Sequence, residues 1–147
     1  MERLDVILKA EKLGGKERRA SLEKVMIEAR DLGCRLEVGG GQAGGINIRY
    51  GMIGYAVLDV TSTGEVKLYA SPHPGKDAPE EFSEAINARV SELEGLEPKS
   101  FPIGSYSYLE DKIEDVPDEA LADFLHTAVE QIREIYYRRP LAHLPPK

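Results

Sequence analysis

The amino-acid sequence predicts an α+β fold, an antiparallel sheet covered by helices, and three observations predict it. From about residue 34 to 70, β-branched and aliphatic residues recur in steps of two between glycine- and threonine-rich turns. On either side of that stretch apolar residues recur in steps of three and four, the spacing of one helix face. Two later helix starts carry the same signature: Asp77-Ala78-Pro79-Glu80 and Asp115-Val116-Pro117-Asp118. Each sets a carboxylate cap, a proline in the first turn and a second acid three residues after the cap.

Taken in order, Leu4, Ile7 and Leu8 predict a short first helix that Gly14-Gly15 stops, because glycine is a poor interior helix residue. Leu22, Val25, Ala29 and Leu32 then place a helix at about 16–32, capped by Gly33. Leu36 and Val38, Ile46 and Ile48, the run 53–60, and Val66 and Leu68 give three to four hairpin-linked strands over about 34–70. The stretch Gly54-Tyr55-Ala56-Val57-Leu58 is apolar on both parities, as a central strand should be. A four-residue turn at Thr61–Gly64 pairs Val60 with Glu65 and turns Asp59 away from Glu65 and Lys67. Helices at about 78–94 and 116–139 carry the stripes Phe82, Ile86, Val90, Leu93 and Leu121, Leu125, Ala128, Ile132, Ile135. Between them, Ser105 to Leu109 has the pattern of one more strand, at 105–109. The reading is one α+β domain over 1–139 and an extended tail over 140–147, where Pro140, Pro145 and Pro146 oppose a helix.

With 147 residues the chain is long enough for one sizeable core and too short for two. No apolar run approaches the ~18 residues of a membrane span, and Lys9, Glu11 and Lys12 interrupt the apolar start, so no secretion signal is expected. The single cysteine, Cys34, permits no internal disulfide and no thiolate zinc site; a buried filler in a cytoplasmic protein is the expectation. Net charge is −7, and residues 77–119 hold thirteen acids against Arg89, Lys99 and Lys112. That balance argues against nonspecific coating of nucleic acid, which needs neutralised phosphates.

Glycines Gly39, Gly41 and Gly44 spell G-x-G-x-x-G, and Asp59 lies twenty residues after Gly39, as in a dinucleotide fold. That fold needs a helix after the loop to meet the pyrophosphate, whereas Ile46-Asn47-Ile48-Arg49-Tyr50 reads as a strand. No Gly-Lys-Ser/Thr follows for a P-loop, and the kinase signatures H-R-D and D-F-G do not occur. The glycines therefore predict a hairpin tip with positive φ; a lid over a small ligand is the enzymatic variant.

Two further constellations carry chemistry. Asp59 at one strand end with Glu65 and Lys67 on the next has the residue types of a restriction-endonuclease-type nuclease. There two carboxylates hold Mg2+ or Mn2+ and a lysine supports the developing charge. Arg18, Arg19 and Arg49 with Tyr137, Arg138 and Arg139 could form a basic, aromatic nucleic-acid surface. The acidic helix start at Asp77 opposes the phosphate-crossing helix of a double-stranded RNA-binding domain. His73, His126 and His143 are too dispersed for a zinc helix, and His126 can pair with Glu130 one turn on.

The reading that covers most of these features is a non-catalytic regulatory, inhibitory or adaptor domain. It expects no cofactor and uses its acidic surface against a basic protein partner. Tyr106 and Tyr108, beside Glu110, Asp111 and Glu114, are the expected anchors. The alternative is a nucleic-acid-associated protein, in its enzymatic form the metal-dependent nuclease.

Overall fold

The computed structural model describes residues 2–39, 41, 44–51, 54–69, 80–96 and 106–134. Helix α1 spans Arg3–Asp31 and is broken at Gly15, whose φ of 80° and ψ of −174° leave the helical region. Glycine alone takes that conformation without strain, and the chain folds back there. Arg3 and Ile7 of the first arm line the same shallow groove as Glu23, Met26, Ile27 and Arg30 of the second. Arg19 ties the arms together, reaching Glu11 at 3.2 Å and Glu23 at 2.8 Å. The first arm buries Val6 and Ala10 with Ile7 partly covered, whereas Leu4 and Leu8 face solvent. A helix this rich in apolar residues carries several overlapping stripes, and the small Val6 and Ala10 fit the tighter contact. At the entrance the Glu2 N–H donates to the Asp5 carboxylate at 2.8 Å. At the exit Gly33 N–H and Cys34 N–H donate to Arg30 and Ala29 carbonyls, the double bond set of a glycine-capped helix end.

Strands β1 (Arg35–Gly39), β2 (Gly45–Tyr50), β3 (Tyr55–Thr61), β4 (Val66–Tyr69) and β5 (Tyr106–Tyr108) lie side by side in chain order, every pair antiparallel. The fifth strand falls where the sequence left room for one. β3 is central, and Tyr55 to Leu58 are all buried, as their unbroken apolar run predicts. Ile46, Ile48, Leu58, Val60, Val66 and Leu68 form the covered face.

The turn between β3 and β4 corrects the expected register. Thr61 N–H donates to the Glu65 carbonyl at 3.0 Å and Gly64 N–H to the Thr61 carbonyl at 2.9 Å, so the loop has three residues rather than four. Gly64, at φ 90°, supplies the left-handed residue that closes such a loop. Val60 consequently faces Val66, and Asp59 faces Lys67. Hydrophobic register decides it: this pairing sets Leu58 and Val60 beside Leu68 and Val66, whereas the longer turn would oppose Val60 to Glu65.

Helices α2 (Glu80–Glu92) and α3 (Asp118–Ile132) complete the cover. Phe82, Ile86, Val90 and Leu93 are buried along the first, and Leu121, Leu125, Ala128 and Ile132 along the second. Full burial of each of the larger of these side chains, the valine, leucines, isoleucines and phenylalanine, contributes about 1.5–3 kcal/mol before entropy is counted. Asp115 does not cap α3: it ends one turn of 3-10 helix, Ile113–Asp115, and Pro117 stands at the cap, its carbonyl accepting from Ala120 and Leu121. Proline holds Val116 extended, so the helix starts two residues later, at Asp118. Asp118 and Glu119 then supply the acids that favour its N-terminus. The cap at Asp77, the α3 extension from Ile135 to 139 and the tail 140–147 lie outside the described residues.

One polar side chain ties the layers. Arg18 is 8% exposed and passes beside Gly14 and Gly64, where an added Cβ would collide with its guanidinium. Its Nη1 donates to the Ser62 carbonyl at 3.2 Å, while Nε and Nη2 grip the Glu114 carboxylate at 3.0 and 2.9 Å. Burial pushes the Glu114 carboxyl up, but the Arg18 bonds, its own backbone N–H and the charges of Arg18 and Lys112 outweigh that and hold it below the usual carboxylate range.

Candidate functional site

On the sheet face opposite Leu58 and Val60, the register lines up Asn47, Asp59, Lys67 and Tyr108 across β2 to β5. Their strand positions share one parity, so the side chains project together. Gly45, Thr61, Thr63 and Glu65 join them around a concavity of about 570 Å³. The glycine hairpin borders it: Gly39 pairs with Gly45, the Asn47 amide occupies the space a Gly39 side chain would need, and the Gly44 carbonyl accepts from Ser62 N–H at 3.0 Å. Gly41 and Gly44 have φ of 67° and 78°, as a hairpin tip predicts.

Asp59, Glu65 and Lys67 thus share one concavity, contrary to the expectation that Asp59 points away. Asp59 is already engaged there. Tyr69 O–H donates to its Oδ2 at 2.6 Å, and an Arg49 Nη2 stands 4.0 Å from Oδ1. Oδ1 itself is buried and accepts no hydrogen bond among the described residues. Burial raises the Asp59 pKa; the Tyr69 bond and the Arg49 and Lys67 charges pull it down without cancelling the rise. The Tyr69 phenol is driven well above its ordinary value by burial and by the Asp59 carboxylate. Among the described residues, no three His, Cys, Asp or Glu side chains are grouped so that they could hold a metal ion.

Beside Asp59 the surface becomes aromatic. Tyr69 faces Tyr106 across β4 and β5, and Lys67 faces Tyr108. The Lys67 Nζ lies 3.8 Å from the Tyr106 ring centre, 5.1 Å from that of Tyr69 and 5.9 Å from that of Tyr108. Tyr106 sits edge-on to Tyr108 at 6.0 Å and tilted to Tyr69 at 6.1 Å, so the rings enclose the ammonium from several directions. Arg49 is 5.6 Å from the Tyr69 ring. Tyr106 and Tyr108 remain 46% and 36% exposed. Tyr69 was not singled out by the sequence; its place two residues after Lys67, on the same parity, is the signal that finds it.

The other expected site residues are dispersed. Glu110 and Asp111 are exposed just beyond β5, but Glu114 is committed to Arg18. Arg18 is buried and Arg19 is bound to Glu11 and Glu23, so neither joins Arg49 on the sheet; Tyr137, Arg138 and Arg139 lie outside the described residues. His126 Nε2 meets Glu28 of α1 at 2.8 Å rather than Glu130, because α1 packs beside α3. Part of the acidic stretch does converge: Glu92, Glu94 and Glu119 line a concavity of about 320 Å³ between α2 and α3, together with Arg89 and, from beyond the stretch, Asp123. Cys34 is buried, and desolvation pushes its thiol up to about 11 despite the Arg133 charge. No described helix is long and apolar enough to cross a membrane. No family model matches the chain, and no curated protein or solved structure matches it at a significant level.

Proposed function

We propose that the protein is a non-catalytic binding domain, regulatory or inhibitory in role, that docks a basic protein partner on the β5 side of its sheet. The observation that carries this reading is the exposure of Tyr106 and Tyr108 around a bound side-chain cation. Tyrosine offers a large contact area at low entropic cost and anchors interfaces. The exposed acids Glu110 and Asp111 follow directly and Glu65 borders the same face, a rim suited to a partner of opposite charge. The acids of the α2–α3 concavity add to the attraction. The test is capture of partners from native lysate at low and moderate salt, using wild type and Tyr106→Ala/Tyr108→Ala. A basic protein retained by wild type and lost by the variant is expected; an unchanged set of captured proteins overturns the reading.

A second reading, a Mg2+- or Mn2+-dependent nuclease, is favoured by one observation, the shared concavity of Asp59, Glu65 and Lys67. It requires Asp59 to exchange its Tyr69 bond for a metal ion. Its test is divalent-dependent cleavage of DNA or RNA that disappears in Lys67→Ala.

A further inference from the structure

The three tyrosines already hold a cation, and it belongs to the protein itself. We infer that Lys67 is an intramolecular stand-in for an arginine of the partner, and that docking replaces its ammonium with a guanidinium between Tyr69, Tyr106 and Tyr108. This rests on the proposed docking surface and names the side chain that surface recognises.

Three arguments carry it. The ring arrangement is that of a cation site: Nζ lies within 6 Å of three ring centres, the range over which an aromatic quadrupole attracts a charge. Two of the rings stand exposed, so an incoming side chain reaches them from solvent. Lys67 also has somewhere to go. Asp59 is its cross-strand neighbour, Glu65 precedes it by two residues on the same face, and all three border one concavity. Moving Nζ toward these carboxylates keeps its charge compensated while the rings are vacated.

The occupant is a guanidinium because a partner's lysine would only exchange one ammonium for another. A guanidinium is planar, less strongly hydrated and stacks on tyrosine, and its several N–H groups extend to the phenol and carboxylate oxygens around the site. A nucleic-acid strand, which could stack on the same rings, is disfavoured by Asp59, Glu65, Glu110 and Asp111 around the site.

The test uses the full chain, a capped peptide with two arginines spaced by glycines, and the same peptide with the arginines replaced by neutral citrulline. Binding is followed through the tyrosine ring NMR signals. Lys67→Met, which keeps chain length and removes the charge, is expected to bind the arginine peptide roughly tenfold more tightly than wild type. The gain should vanish in Lys67→Met/Tyr106→Ala, and citrulline should bind at least as weakly as to wild type. Equal affinity of wild type and Lys67→Met, equal binding of arginine and citrulline, or ring signals that do not move overturns the inference. If a captured partner depends on Tyr106 and Tyr108 but its binding is unaffected by Lys67→Met, the docking surface stands and the arginine exchange falls. If the peptide titrates as expected and no partner is captured, the cage stands and the docking role falls.

Discussion

Arg18 and Glu114, 96 residues apart in the chain, meet as a two-pronged ion pair closed over the β3–β4 turn. Removing Arg18 leaves the Glu114 charge and the Ser62 carbonyl with lost bonds in a largely buried place. Arg18→Met is expected to lower unfolding stability by about 3 kcal/mol, read from urea transitions. Gly64→Ala should also destabilise, because its φ is positive and the new methyl meets the Arg18 guanidinium. The two costs share a cause, so the double variant should lose less than their sum. Strict additivity would show that Gly64 acts through backbone strain alone.

The pair also sets an acid limit. The folded pKa of Glu114 lies below its ordinary value, so the stabilisation is present above the unfolded pKa and is lost as pH falls through the folded one. Urea titrations in the acidic range should show wild type losing this increment and Glu114→Gln showing no such fall.

Asp59 behaves oppositely. Its folded pKa is raised, so its contribution is full below the unfolded pKa and is lost as pH rises through the folded value. Asp59→Asn is therefore expected to gain stability relative to wild type as pH rises through the carboxylate range. A difference that is flat with pH would mean the buried carboxylate carries no desolvation cost.

Cys34 is predicted to be inert in the native state, since its thiol is buried and raised to about 11. A thiol reagent at neutral pH should modify it orders of magnitude more slowly than the urea-unfolded chain. Native reaction at the unfolded rate would place the thiol in solvent.

The helix stripes, the hairpin order and the glycine cap at Gly33 were legible because each is local: a period, a turn residue or a terminator speaks for its own element. The candidate site was not, and one residue explains why. Counting Thr61 inside the turn moves every β4 side chain to the wrong face, so the same three residues read as divided or as convergent according to a loop length of four or three. The matched parity of Leu58 and Val60 with Val66 and Leu68 was the available correction. Glu114 and Arg18 were assigned to opposite kinds of surface because nothing in a linear reading brings residues from α1 and the 3-10 turn together.

Strand order that repeats chain order has a kinetic consequence. The four strands from Arg35 to Tyr69 are neighbours in sequence as well as in space, so each hairpin closes over a short loop at little entropic cost. β5 must return across the whole α2 segment, and the Arg18–Glu114 clasp joins opposite ends of the described chain. The sheet is thus expected to form first as a four-stranded meander, with the tyrosine strand arriving late. The proposed docking surface is then expected to be the last part of the sheet to assemble and the first to open.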